Sequence, residues 1–181
     1  IRFEFSDIDQ ASAFATLFTG SNPCFSGIAG DKTFDFEKEK EVSILNDPEY
    51  LGNYTKENYS PKNLFSSTIG DELKIASQGR SDVYSIAPDA ESAILSAGHA
   101  ANGAFWMDNT NGKWATTTYY KGIPWYVDRY NNGPESLASR LETMVWTPTL
   151  PMEKYNAFPY VLDDLPFRYT FSEKFANCYP N

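Results

Sequence analysis

The sequence predicts an α/β fold, because short apolar strands alternate with amphipathic helices along its 181 residues. Residues 83–86 are almost continuously apolar, which is typical of a central strand in a parallel sheet. A short helix is predicted directly afterwards, at residues 89–96. Residues 104–107 and 113–120 then flank an Asn-Gly turn, which indicates a β-hairpin. The middle of the chain therefore has the pattern of a strand–helix–strand crossover.

Two further helices are predicted from their capping residues. Residues 10–18 have a helical pattern between Asp9, a candidate N-cap, and Gly20, a candidate stop. Residues 68–78 combine a capping-box start with one apolar face. The capping box consists of Thr68 and Asp71, and the apolar face of Ile69, Leu73 and Ala76.

The remaining segments carry less regular patterns, and together with the elements above they predict one α/β domain over residues 1–181. Strands are predicted at residues 2–6, 33–36 and 41–44, the last two as a hairpin, and a helix is predicted at residues 134–142. Residues 47–61 indicate an ordered surface loop, and the chain from residue 147 onward indicates irregular packing.

Composition excludes several classes of function. The 15 basic against 24 acidic residues give a net charge of -9, which disfavours a nucleic-acid polymer as partner. No apolar run is long enough to predict a transmembrane segment. One histidine and two cysteines cannot build a Cys₂His₂ or Cys₄ zinc site. Cys24 and Cys178 either form a disulfide or remain two buried thiols. The 16% aromatic content fits either a packed core or a surface on which sugars or nucleosides stack.

We expect the chain to be a fragment of a longer protein. It opens on Ile1 instead of Met, within a strand-like alternation, and it stops abruptly at Asn181. The lack of a visible signal peptide therefore indicates nothing about location.

Four motifs carry a resemblance to a known family. In chain order they are TGSNP at residues 19–23, GIAGD at 27–31, TIGDELK at 68–74 and AILSAGHAANGAFW at 93–106. This order resembles the alkaline phosphatase superfamily, in its type I phosphodiesterase/nucleotide pyrophosphatase branch, which includes the PafA-like bacterial phosphatases. The resemblance implies an alkaline-phosphatase-like sandwich, with a central, mainly parallel sheet, flanking helices and an inserted β-hairpin cap at residues 104–120.

The resemblance also implies a nucleophile. In the family a Thr or Ser at the start of the first helix attacks phosphorus, with two zinc ions lowering its pKa. The matching position here is Gln10, and an amide cannot be deprotonated to serve as a nucleophile. Ser12 lies two positions further on and can substitute only if the start of the helix is shifted.

Three positions that the resemblance assigns to phosphate binding are acidic in this chain. Asp31 stands where the family pattern has Asn, and Asp89 and Glu91 stand where it has a Lys-x-Arg pair. Carboxylates at these positions would repel a phosphate dianion, which disfavours a PafA-like monoesterase. The three acids either bind a different substrate or are structural, with Asp89 as a helix N-cap and Glu91 in the first turn.

The family's zinc ligands fall outside this chain by the resemblance. No cofactor or metal site is therefore expected within it, and zinc is expected in the full-length parent if that protein is active. His99, which follows Gly98, is expected to be a C-cap or a hydrogen-bonded structural residue. The Asp163-Asp164 pair is expected on the surface or at a helix cap.

Two functions remain open. In the first, the chain is a fragment of a metal-dependent phosphoric ester hydrolase, inactive in isolation, whose partner is a small-molecule phosphoester. In the second, it belongs to a pseudoenzyme that binds a glycan or a lipid headgroup through Asp31, Asp89 and Glu91. For either function the resemblance implies a periplasmic or secreted location.

Overall fold

The computed structural model describes residues 5–6, 8–36, 38–141, 161–162 and 165–166. The helices within these residues are α1 (Gln10–Thr19), α2 (Pro23–Ser26), α3 (Ile69–Ala76), α4 (Ala90–Ala97), α5 (Trp125–Asn131) and α6 (Leu137–Leu141). The strands are β1 (Lys32–Asp35), β2 (Lys40–Ser43), β3 (Gly52–Asn53), β4 (Tyr84–Ala87), β5 (Gly103–Met107), β6 (Trp114–Thr117), β7 (Val161–Leu162) and β8 (Leu165–Pro166).

The main sheet has four strands in the order β3-β6-β5-β4. The pair β4 and β5 is parallel, whereas β5 pairs with β6, and β6 with β3, in antiparallel fashion. Helix α4 connects the two parallel strands and packs against both of them, with Ile94 and Leu95 fully buried. The sheet is therefore mixed, and the crossover confirms the predicted α/β class.

Within the part of the chain that the structure describes, strand β4 lies at the edge of this sheet and not at its centre. Among the described residues it pairs with β5 alone, and the side chains of Tyr84 and Ile86 are 54% and 69% exposed. The apolar sequence that predicts a central strand is present, but the burial on both faces that normally accompanies it is not.

Both predicted hairpins are present. Strands β5 and β6 form the one predicted at residues 104–120, and both belong to the four-stranded sheet. Its turn is closed by the amide of Asp108, which donates to the carbonyl of Lys113 at 2.9 Å. Strands β1 and β2 form the other hairpin, as a separate two-stranded sheet.

The two cap-defined helices begin where their caps predict. Helix α1 starts after Asp9 and ends at Gly20, which has a left-handed backbone. It buries its small residues against α4, since Ala11, Ser12 and Ala15 are each 0% exposed. Small side chains here allow the two helices to approach closely.

Helix α3 has the predicted capping box, yet it buries a different face from the one that its apolar residues suggest. Thr68 and Asp71 form the box, and Asp71 is buried together with Gly70. Ile69 and Leu73, on the predicted apolar face, are 71% and 50% exposed. The helix is therefore held at its polar start, and its apolar stripe faces outward.

Several other predictions differ from the structure. Residues 47–61, predicted as a loop, contain β3, and α6 begins at Leu137 instead of residue 134. Helix α5 has no counterpart among the predicted elements. Residues 5 and 6 lie outside any strand, and the rest of the strand predicted at residues 2–6 falls outside the described residues. Cys24 is exposed, so a buried thiol is wrong for that residue, and Cys178 lies outside the described residues.

Candidate functional site

The start of α1 is bound by two carboxylates. Asp9 caps the helix by accepting from the Ser12 amide at 2.8 Å, and its other oxygen accepts from the Asp31 amide at 2.7 Å. Asp31 in turn accepts from the Ala11 amide, with its Oδ1 3.0 Å from that nitrogen. Two backbone amides in the first turn of α1 are thereby hydrogen-bonded to carboxylates, where an anion would otherwise bind.

Gln10, at the position of the nucleophile, is held by α4. Its Nε2 donates to the hydroxyl of Ser92 at 2.8 Å. Ser92 belongs to the cap of α4, because its amide and hydroxyl both donate to the carboxylate of Asp89, at 2.8 and 3.1 Å. The structure therefore brings Gln10 and Asp89 together through one serine, and Asp89 has the structural role of an N-cap.

Ser12 does not take the place of Gln10 at the surface. The helix starts at Gln10, so the shifted start on which that substitution depends is absent. Ser12 is 0% exposed, and its hydroxyl accepts from the Asp9 amide at 3.1 Å within the capping box. A hydroxyl buried in a helix cap cannot reach a substrate without unwinding the first turn.

A cavity of ≈ 230 Å³ opens beside the start of α4. Four carboxylates line it together with aromatic, hydroxyl and amide side chains, and none of the described residues that line it is a Lys or an Arg. The acids are Glu57, Asp89, Glu91 and Asp108, and the other side chains include Tyr59, Trp106, Thr55, Asn109 and Thr110. Of the predicted binding residues, Asp89 and Glu91 line this cavity, while Asp31 lies outside its lining.

The carboxyl group of Glu91 is in an unfavourable environment for a charge. Partial burial is the largest cause that raises its pKa, and the nearby carboxylates of Asp89, Asp31 and Glu57 raise it further. A hydrogen bond from its own backbone amide opposes this shift. The clustered negative charge would be relieved by a cation or by hydroxyl donors in the cavity.

Aromatic rings form the apolar part of the cavity lining. Tyr59 and Trp106 lie with their ring centroids 6.3 Å apart, and Trp106 is 3% exposed within the core. Burial raises the pKa of Tyr59 to about 12, with further contributions from the charges of Glu57 and Glu91. The tyrosine hydroxyl is therefore neutral and can both donate and accept hydrogen bonds.

Sequence reasoning missed two acids of this cavity, Glu57 and Asp108. Asp108 follows the buried strand β5, and burial opposes its ionisation. Hydrogen bonds from the side chains of Thr110 and Thr55, and from the backbone of Thr110 and Asn111, outweigh that effect and lower its pKa. The Asp-Asn-Thr-Asn turn was the available signal, because Asp favours such turns. Nothing in the local sequence marks Glu57.

A hydrogen-bond network holds the loop that carries two of the cavity-lining residues, Thr55 and Glu57. The Tyr54 hydroxyl donates to Asp128 at 2.5 Å and accepts from Asn132 at 2.7 Å, which joins the loop before the cavity to α5. Lys113 lies 5.1 Å from the Tyr54 ring centroid and donates to Asn132 at 3.0 Å. The segment that carries Thr55 and Glu57 is thus anchored next to the β5–β6 turn.

The residues that the structure describes contain no cluster of three or more His, Cys, Asp or Glu side chains arranged to hold a metal ion. The resemblance places the zinc ligands outside this chain, so zinc in the parent protein stays a prediction. Asp163 and Asp164 fall outside the described residues.

His99 is hydrogen-bonded as a structural residue. Its Nε2 lies 2.8 Å from the Leu64 carbonyl, which can only accept, so Nε2 carries the proton. Its backbone amide donates to Asp71 at 2.9 Å.

The sequence of this chain is similar to those of two alkaline phosphatases. The chain is 37% identical to the alkaline phosphatase PafA of Elizabethkingia meningoseptica over 150 residues, which are 80% of this chain and 27% of that protein. It is 31% identical to the alkaline phosphatase PhoV of Synechococcus elongatus over 175 residues, 94% of this chain and 31% of that protein. The chain thus spans less than a third of the length of these relatives. No protein-family model matches it.

The structural comparison agrees with the sequence comparison. The crystal structure of wild-type PafA superimposes with a TM-score of 0.71 and 35% identity, over 80% of this chain and 28% of that one. The fold is therefore that of the matching part of PafA. Over the segment that this chain spans, both its sequence and its fold are similar to those of an alkaline phosphatase.

Proposed function

We propose that this chain is part of a phosphatase-like protein whose site binds a ligand rich in hydroxyl or ammonium groups, such as a glycan or a lipid headgroup, and does not hydrolyse phosphate monoesters. The observation that carries this proposal is the acid-lined cavity of ≈ 230 Å³. It lies beside Asp89 and Glu91, the positions at which the resemblance expects cations.

The electrostatics of the cavity support this choice of ligand. Two unit charges 4 Å apart at a protein surface interact by about 4 kcal/mol, so several carboxylates would strongly disfavour a bound dianion. Ammonium groups would gain from the same charges, and sugar hydroxyls can donate to the carboxylates. Tyr59 offers an aromatic ring against which the apolar face of a sugar can pack.

Calorimetric titration of the longest polypeptide that carries this segment tests the proposal. The probes are a neutral monosaccharide series, choline, ethanolamine and inorganic phosphate. We expect saturable binding by a sugar or an amine, weakened by Glu91→Gln and unchanged by Glu49→Gln, which alters an exposed carboxylate outside the cavity lining. Phosphate binding without any binding by the other probes would overturn the proposal.

A second candidate is a metal-dependent phosphoester hydrolase in the parent protein, of the phosphodiesterase type. The 37% identity to an alkaline phosphatase favours it. Its zinc ligands and nucleophile would come from outside the described residues, and this chain alone would be inactive. Hydrolysis of bis-p-nitrophenyl phosphate by the zinc-loaded parent, unaffected by Gln10→Ala and Ser12→Ala, would favour this candidate over the binding module.

The partner is in both cases a small molecule or a headgroup and not a nucleic-acid polymer, in keeping with the net charge of -9. We propose a periplasmic or secreted location from the resemblance to PafA. Among the helices that the structure describes, none combines the length and apolar character that a membrane crossing requires.

A further inference from the structure

The contact between Asp31 and α1 joins residues that are distant in sequence. Asp31 Oδ1 lies 3.0 Å from the amide nitrogen of Ala11, 20 residues earlier in the chain. The Asp31 amide donates to the Asp9 carboxylate at 2.7 Å, so two hydrogen bonds join the segment before β1 to the start of α1. A Cβ on Gly30 would lie 3.0 Å from the same Asp9 oxygen, so a larger residue at position 30 would crowd the Asp9 carboxylate.

An anion is the natural ligand of the position that Asp31 occupies. The first amides of a helix point out of its amino end with no partner inside the helix, and the helix dipole adds a partial positive charge there. In this chain Asp9 takes the Ser12 amide and Asp31 takes the Ala11 amide. A second anion would have to displace the Asp31 carboxylate from its hydrogen bond or approach its charge directly.

We propose that Asp31 is a built-in anion that fills the amino end of α1 and so excludes phosphate from the site. Asp31 is then a residue that determines ligand charge, and not one that contacts the ligand. This inference deepens the proposed function and rests on it only for the identity of the ligand that does bind.

The geometry separates this role from helix capping. Asp9 supplies the N-cap by itself, within a reciprocal box with Ser12. Asp31 comes from the segment before β1 and does not take part in that box. Removal of the Asp31 carboxylate therefore leaves the cap intact and frees the Ala11 amide.

Amide NMR of the full chain, with inorganic phosphate as the probe, tests the inference. We expect no saturable shift of the Ala11 amide in the wild type. In Asp31→Ala we expect a saturable shift with at least about tenfold tighter phosphate binding. Asp31→Asn also removes the charge and restores the residue of the family pattern, so it should likewise bind phosphate more tightly than the wild type.

Two results would overturn the inference. One is phosphate binding at the Ala11 amide of the wild type, and the other is equal phosphate affinity in all three proteins. If Asp31→Ala does not fold, the wild type still decides, since a saturable shift of its Ala11 amide on addition of phosphate would show that Asp31 does not exclude the anion. Binding of sugars or amines by the wild type is measured separately, so the proposed function can fail while this inference stands.

Discussion

The carboxylate of Asp71 connects two helices and the loop that follows them. Its Oδ2 accepts from the amide and hydroxyl of Thr68 at 2.8 and 3.1 Å. Its Oδ1 accepts from the amides of His99 and Ala100 at 2.9 and 2.6 Å. One buried side chain thereby satisfies donors at the start of α3 and just after the end of α4.

Replacing Asp71 should be costly. Asp71→Ala leaves buried donors without partners, and we expect a loss of about 3 kcal/mol in the free energy of unfolding, measured by urea denaturation. Asp71→Asn keeps an acceptor oxygen and should lose less. A loss below about 1 kcal/mol for the alanine variant would contradict the structural role assigned here.

Glu91 should make stability depend on pH in the opposite sense to an ordinary ion-paired acid. Its pKa in the folded chain is raised above the usual 4.5, mainly by burial. A raised pKa means that its contribution to stability is complete below that usual value and is lost as pH rises through the folded-state pKa. Glu91→Gln should therefore stabilise the chain at pH 7 relative to the wild type, and the gain should shrink towards pH 4.

Urea denaturation at both pH values measures this effect, with Glu49→Gln as the exposed control. An advantage for Glu91→Gln that is the same at pH 4 and pH 7 would show that the cluster of acids does not disfavour the ionised form.

The limits of sequence reasoning at this scale follow from distance along the chain. The caps at Asp9 and Thr68 were predictable, because a cap is recognised from residues three positions apart. The bond between Asp31 and Ala11 and the approach of Glu57 to Glu91 depend on how distant segments fold together. Motif spacing could identify Asp31 as unusual, but it could not show which amide the carboxylate accepts from.

At the scale of elements, Gly98 fixes how closely α3 and α4 approach. Its φ is +74°, and a Cβ there would overlap Asp71 Oδ2 and Thr68 Oγ1. A residue with a Cβ at position 98 is therefore disfavoured both by the backbone conformation and by the neighbouring helix cap.

A pair of alanine variants compares Gly98 with a positive-φ glycine in open space. Gly79 has a φ of +77°, but a Cβ added there would meet no atom within 4 Å. Gly79→Ala should cost about 1 kcal/mol from backbone strain alone. Gly98→Ala should cost about 3 kcal/mol, because its ψ of −153° gives a backbone conformation that only glycine readily adopts and because the helix cap must also move. Thermal unfolding of both variants tests the difference, and equal costs would show that the junction of α3 and α4 can adapt.

Helix α5 shows why some elements were not predicted. It has seven residues and no side-chain cap, so its sequence carries neither a long periodicity nor a start signal. Tertiary contacts hold it instead, since Asn131 accepts from the amide of Trp114 at 2.9 Å and donates to its carbonyl at 2.8 Å. The asparagine side chain thus continues the hydrogen-bonding pattern of β6 and attaches the helix to the sheet.

At the scale of the whole molecule, two cavities open against β4 in the described structure, and Tyr84 and Ile86 line both of them. Phe14 and Leu73 are among the other residues that line the first. The second, of ≈ 460 Å³, is apolar and is also lined by Phe105 and Tyr126. The α/β class was predictable because it depends on the order of elements, whereas the place of β4 at the edge depends on which partners the strand finds.

The open edge of β4 also governs how the purified chain behaves in solution. Among the described residues β4 pairs with β5 alone, and its side chains Tyr84 and Ile86 are exposed. A strand with a free edge can extend its sheet onto another molecule, so we expect the chain to self-associate as its concentration rises. Ile86→Lys should suppress the increase in scattered light, whereas Phe36→Lys, at a more exposed residue of the β1–β2 turn, should not. Scattering that falls equally in both variants would assign the association to general hydrophobicity. If the scattered light falls only with Ile86→Lys, a single strand edge determines the colloidal stability of the chain. Covering or charging that edge would then be enough to keep the chain from associating.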